Sequence, residues 1–181
     1  MSNSCHILFA GFGGQGILFA GKFLAYKSLL EGRNVSWLPS YGPEMRGGTA
    51  NCSVIISDEP IGSPIVSAPD VLVAMNLPSL DKYESAVVKS GMIFYDSSMI
   101  SRRPEREDVS VFAVPATKLA DDNGMSTLAN MIIVGQMLSQ IPYIGSGDCD
   151  EALGKVVSAR HRDLLEYNKK AIELGRGYVC E

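Results

Sequence analysis

Residues 11–16 read GFGGQG, directly after the apolar run HILFA (6–10) and directly before ILFAGKFLAYKSLL (17–30). A strand, a glycine turn and a helix in that order confine the start of the chain to an α/β unit, because glycine passes freely through positive φ between two regular elements. Further strand-length apolar runs fall at 35–38, 51–56, 71–75, 92–95 and 109–114, and most are continuous rather than alternating. Continuous runs suit strands covered on both faces, so helices are expected on both sides of a sheet. Helical spacing is read at 16–30, 79–88, 127–140 and 151–174, the last opened by Asp148 three positions before Glu151 and closed by Gly175. SDEPIGSP (57–64) reads as a turn after the third strand, hence a hairpin, and makes the sheet mixed. The expected fold class is therefore α/β: a three-layer α/β/α sandwich with a mixed, mostly parallel sheet and a Rossmann-like first βαβ unit. At 181 residues, without internal repeat or low-complexity linker, the chain fits a single domain over 1–181.

Composition excludes several classes of function. The net charge of −4 and the scattering of 16 Lys and Arg argue against a nucleic-acid binder, which needs clustered cations to displace counterions. No apolar run approaches the 18 residues of a membrane span, and the start, MSNSCHILFAG, lacks the basic region of a signal peptide. Cys5, Cys52, Cys149 and Cys180 are far apart with no C-x-x-C, so spacing encodes neither a zinc site nor an iron-sulfur cluster. They are expected to be reduced thiols of a cytoplasmic protein.

As a phosphate cradle, Gly11, Gly13 and Gly16 satisfy G-x-G-x-x-G in the right strand-to-helix context. A dinucleotide site also calls for an acid at the end of the second strand to hold the ribose, and that strand ends in Leu38-Pro39-Ser40. The P-loop spacing in GILFAGKF (16–23) is an accident of a buried helix, with Phe23 where a magnesium-binding hydroxyl belongs. Gly21 is read there as a close-packing site and Lys22 as a polar edge. Two features raise GFGGQG above a mere turn: Gly13-Gly14 bares adjacent backbone amides, and Gln15 adds an amide able to donate and accept. The second unusual stretch, SYGPEMRGGTA (40–50), lies between two strands and sets Glu44 and Arg46 beside Gly47-Gly48. A guanidinium next to bare backbone suits a phosphate, a carboxylate or a facing protein loop. The bland reading is an ion pair between Glu44 and Arg46 that shapes the loop.

Together GFGGQGILFAGKFLA and SYGPEMRGGTANCSVIIS resemble the gamma subunit, or gamma domain, of ferredoxin-dependent 2-oxoacid oxidoreductases, the 2-oxoglutarate branch above all. The likeness continues through VLVAMN (71–76) and the helix around Asn130 and Gly135. It implies a part in converting a 2-oxoacid and coenzyme A to an acyl-CoA, carbon dioxide and reduced ferredoxin. Thiamine diphosphate, magnesium and iron-sulfur clusters are then expected in partner subunits: thiamine-binding alpha and beta types and a ferredoxin-like chain. No catalytic residue and no metal ligand are assigned to this chain, which is expected to be inactive alone and to form a homodimer or bind partners. The resemblance puts Gly11, Gly13, Gly14, Gln15, Gly16, Glu44, Arg46, Gly47 and Gly48 at a subunit interface or substrate-access region, beside partner subunits or coenzyme A. His6 and His161 have no spaced partners and read as packed and exposed histidines, and Ser97-Ser98 as a turn. An independent NAD-dependent enzyme and a non-catalytic nucleotide-binding module are the competing readings.

Overall fold

The computed structural model describes residues 3–40, 50–157 and 163–180. Among these, six strands form one sheet: β1 (Ser4–Gly11), β2 (Asn34–Ser40), β3 (Ala50–Ser57), β4 (Val71–Ala74), β5 (Met92–Asp96) and β6 (Ser110–Val114), in the order β2-β3-β1-β4-β5-β6. β1, β4, β5 and β6 run parallel, while β3 is antiparallel to both β1 and β2. The sheet is mixed as expected, but the hairpin lies elsewhere. β3 pairs with β2 rather than β4, and the segment after β3 crosses to the far side of β1. The first βαβ unit departs from the Rossmann arrangement accordingly, because β3 is inserted between β1 and β2.

Among the described residues seven α-helices accompany the sheet: α1 (Ile17–Leu30), α2 (Leu77–Tyr83), α3 (Ala116–Asp122), α4 (Ala129–Gln140), α5 (Pro142–Gly145), α6 (Asp150–Val156) and α7 (Asp163–Gly177). Alternation along the strands divides the core in two. Cys5, Ile7 and Phe9 of β1, with Val71 and Val73 of β4, face a layer drawn from α1, α3, α4, α6 and α7. Leu8 and Ala10, with Leu72 and Ala74, face Leu80 of α2, Val87 and Ile100. This is the three-layer sandwich read from the continuous apolar runs.

Two glycines set how closely the thick layer packs. A side chain at Gly21 of α1 would collide with Cys52 Sγ of β3, and one at Gly175 of α7 with the Ile132 carbonyl of α4. Gly175 is thus a packing residue within α7 and not the end of a helix. The helix expected over 151–174 is also interrupted: Val157 is extended (φ −77°, ψ 123°) and closes α6. Adjacent β-branched Val156 and Val157 are poor helix formers, which favours the break.

Candidate functional site

The connection leaving β1 passes through α1 to one flank of the sheet, and that leaving β4 passes through α2 to the other. The crevice between the carboxyl ends of β1 and β4 is therefore a topological switch point, where open α/β sheets bind ligands. GFGGQG sits there. Ser40 and Ala50, which flank the Glu44–Gly48 stretch, lie at this same end, with Ala50 opposite Gly11. Glu44, Arg46, Gly47 and Gly48 themselves fall outside the described residues, as does His161.

The glycines of the turn do different things. Gly11 and Gly16 are held by packing: a side chain at Gly11 would meet Ile17 Cδ1 at 2.6 Å, and one at Gly16 would overlap the Asn130 amide. Gly16 also has φ +72° and forms the N-cap of α1, where no side chain among the described residues caps the helix. Gly14 has φ +93°, yet a side chain there would meet none of the described residues within 4 Å. Its lack of a Cβ leaves open space over the backbone.

Gln15 acts within the turn. Its Oε1 accepts from the Phe12 amide (2.6 Å) and from Asn76 Nδ2 (3.1 Å), while its Nε2 donates to the Met75 carbonyl (2.9 Å). Asn76 in turn caps α2 by accepting from the Ser79 amide at 2.9 Å. One side chain thus ties the turn after β1 to the turn after β4, sixty residues away in sequence. From the other side Asn130 Nδ2 donates to the Gly16 carbonyl at 3.0 Å. Asn76 and Asn130 are the site residues whose roles the sequence did not disclose, since each contact is long-range.

The first bond within α1 runs from the Ala20 amide to the Gly16 carbonyl (3.0 Å), so the preceding amides have no partner within the helix. With the positive end of the helix dipole they favour an anion. A cleft of about 270 Å³ opens over them, lined by Phe12, Gly13, Gly14, Leu18, Phe19 and Ala50 among others. None of its described lining residues is charged, so attraction for an anion comes from the backbone. Below, Cys52 Sγ donates to the Ile17 carbonyl at 3.5 Å, and burial pushes its thiol up to about 12. That thiol is a packing group, not a nucleophile.

The remaining sequence candidates lie apart. His6 is half-buried near the opposite end of β1, its backbone amide bonded to Asp70 Oδ2 at 2.8 Å. Ser98 belongs to a turn: its amide donates to Asp96 Oδ1 (3.0 Å) and its Oγ accepts from the Lys118 amide (3.1 Å). Among the described residues no three His, Cys, Asp or Glu come together as a metal site.

Fold and site together define an α/β chain with an uncapped glycine turn held at a switch point. The chain belongs to the pyruvate ferredoxin/flavodoxin oxidoreductase family, whose profile matches residues 6–178. It is 40% identical to ketoisovalerate oxidoreductase subunit VorA of Methanothermobacter thermautotrophicus over 95% of its length, but spans only 36% of that relative. It is 34% identical to 2-oxoglutarate synthase subunit KorC of Methanothermobacter marburgensis, covering 97% of this chain and 96% of KorC. Among solved structures, a keto/oxoacid ferredoxin oxidoreductase gamma subunit from Geobacter sulfurreducens matches with a TM-score of 0.80 and 28% identity, over 94% of this chain and 95% of the other. The same fold occurs in a 2-oxoglutarate:ferredoxin oxidoreductase from Magnetococcus marinus (TM-score 0.84, 23% identity, 96% of this chain and 30% of that one).

Proposed function

We propose that this chain is the gamma subunit of a ferredoxin-dependent 2-oxoacid oxidoreductase complex, in which it presents its glycine turn to coenzyme A. The observation that carries the reading is end-to-end similarity to a separate subunit of a 2-oxoacid oxidoreductase, together with an uncapped helix terminus at the switch point. The amides ahead of Ala20 receive a phosphate of coenzyme A, and Gly14 leaves room for it. Gln15, bonded on three sides, holds the turn in shape. Glu44, Arg46, Gly47 and Gly48, which fall outside the described residues, are assigned by resemblance to the same contact with coenzyme A or the partner subunits. Thiamine diphosphate, magnesium and the iron-sulfur clusters belong to the alpha, beta and ferredoxin-like partners, and ferredoxin takes the electrons. Four free cysteines agree with a cytoplasmic location.

The substrate we assign is 2-oxoglutarate, supported by 34% identity to 2-oxoglutarate synthase subunits KorC over 96% and 95% of their length. A branched-chain 2-oxoacid is the second reading, favoured by the higher identity to VorA. Both are tested by isolating the chain with its natural partners and measuring coenzyme A-dependent reduction of ferredoxin with 2-oxoglutarate, 2-oxoisovalerate and pyruvate. Ferredoxin reduction with 2-oxoglutarate alone is the expected result. A complex active only with 2-oxoisovalerate transfers the assignment to the branched-chain acids, and absence of any 2-oxoacid activity in the recovered complex refutes the reading.

A further inference from the structure

Helix α1 is apolar on both of its sides. Its inner side packs Ile17, Ala20, Phe23 and Leu24 into the core. Its outer side presents Leu18, Phe19, Lys22, Tyr26, Leu29 and Leu30, the first four half-buried and the last two 56% and 42% exposed. Five of these six side chains are apolar or aromatic, and the helix contains no acid. A helix at the surface of a globular chain sets a charged face against its core stripe, whereas one that is apolar all round lies inside a larger body. Phe19, Lys22, Tyr26 and Leu29 also recur at steps of three, four and three, the spacing by which two helices mesh along a shared seam. The one charge in that seam rests on an aromatic ring, with Lys22 Nζ 5.9 Å from the centre of Tyr26. Charges just beyond the helix are taken up within the chain, Glu31 by Lys27 and Arg33 by Asp58 (3.2 Å).

We propose that α1 pairs with α1 of a second copy of this chain, antiparallel across a two-fold axis. What singles out a second copy is that the seam is complementary to itself. With the axis between Lys22 and Tyr26, Phe19 comes opposite Leu29 of the other copy, Leu18 opposite its Leu30, and Lys22 opposite its Tyr26. Apolar side chains then meet apolar ones at both ends of the seam. In the middle each lysine faces a ring instead of the other lysine, so its ammonium is held between two tyrosines. A two-fold contact of this kind is isologous and closes at two copies. The pairing does not depend on where coenzyme A binds. A helix of this length spans only about 21 Å. The contact is therefore smaller than a standard interface, and a dissociation constant on the order of 10 µM is expected.

The test is sedimentation equilibrium of the full chain over roughly 1–200 µM, a range that brackets the expected dissociation constant. Wild type is compared with Leu29→Lys, in the seam, and with Met99→Lys, a 50% exposed position after β5 and outside it. Thermal unfolding of the dilute proteins checks that both variants keep their fold. The expected result is a concentration-dependent dimer whose dissociation constant rises about tenfold or more in Leu29→Lys and is unchanged in Met99→Lys. Register is read by disulfide cross-linking of Lys22→Cys and Tyr26→Cys, each also carrying Cys180→Ser because Cys180 is half-exposed. The two are oxidised separately and as an equal mixture. Antiparallel pairing predicts covalent dimers between the two variants in the mixture and few in either variant alone. A wild type that stays monomeric across the range overturns the proposal, as does a dimer that Leu29→Lys leaves intact or one that cross-links as well in the separate variants as in the mixture. A monomeric chain that loses its natural partners on Leu29→Lys gives the face to a different subunit and overturns the pairing of copies.

Discussion

Replacing Gly14 and Gly16 separately by alanine distinguishes a turn built for a ligand from one built only to connect a strand to a helix. Both glycines have positive φ, +93° and +72°, where an L-residue is disfavoured by about 1–2 kcal/mol. At Gly14 nothing else is added among the described residues, because the new methyl meets none of their atoms within 4 Å. Gly14→Ala should therefore lower stability by about 1–2 kcal/mol, or roughly 2–8 °C in Tm for a chain of this size. At Gly16 the methyl also overlaps Asn130, displaces its bond to the Gly16 carbonyl and strands a buried amide, for roughly 1–3 kcal/mol more. The functional effect should run the other way relative to stability. A methyl at Gly14 enters the space over the free amides, so coenzyme A affinity should fall about tenfold or more while the fold persists. Scanning calorimetry gives the first quantity and titration with coenzyme A the second. Gly14→Ala with wild-type affinity would refute the ligand role of the turn, and equal destabilisation by the two substitutions would refute the division of labour between the glycines.

Gln15→Leu removes three hydrogen bonds at the junction of β1 and β4 and should cost about 2 kcal/mol in urea unfolding, since each is worth roughly 0.5–1.5 kcal/mol net. Lys27 is fully buried in α1, where its ammonium pairs with Glu31 and donates to the carbonyls of Ile144 (2.9 Å) and Ser146. Lys27→Met leaves a half-buried carboxylate and two carbonyls without their cation and should cost about 3 kcal/mol, read as a lower urea midpoint. Burial raises the Cys5 and Cys52 thiols from 9.0 to about 12, so the folded chain holds these protons more tightly than the unfolded one. Their contribution to stability is intact below about pH 9 and is lost as pH rises from 9 toward 12, a decline that Cys5→Ala should reduce. A thiol reagent at pH 8 should accordingly modify half-exposed Cys180 first and reach Cys5, Cys52 and Cys149 only on unfolding.

The strands were legible because their signal is local: apolar runs, most of them continuous, mark the six described strands within two residues at each end. Neighbour relations were not, since the turn residues after β3 announce a reversal without saying which strand lies beside it. α3 was missed for a related reason. ATKLADD carries acids in its last turn, against the helix dipole, and its N-terminus is held by Asp96, which accepts from the Thr117 amide (3.1 Å) and hydroxyl (2.5 Å) some twenty residues away. At the site, sequence identified the glycines but not their separate duties. Gly11 and Gly16 are fixed by what packs on them and Gly14 by what does not, a distinction that exists only once Ile17 and Asn130 are in place. Gln15 read as a free amide at the mouth of the turn because its partners, Met75 and Asn76, follow a strand whose position beside β1 no local pattern encodes. The same side chain thus changes meaning with topology. In a β1 followed at once by its neighbour, Gln15 would be open to a ligand; with β4 alongside, it is bound within the protein and keeps the bare amides of the turn in place.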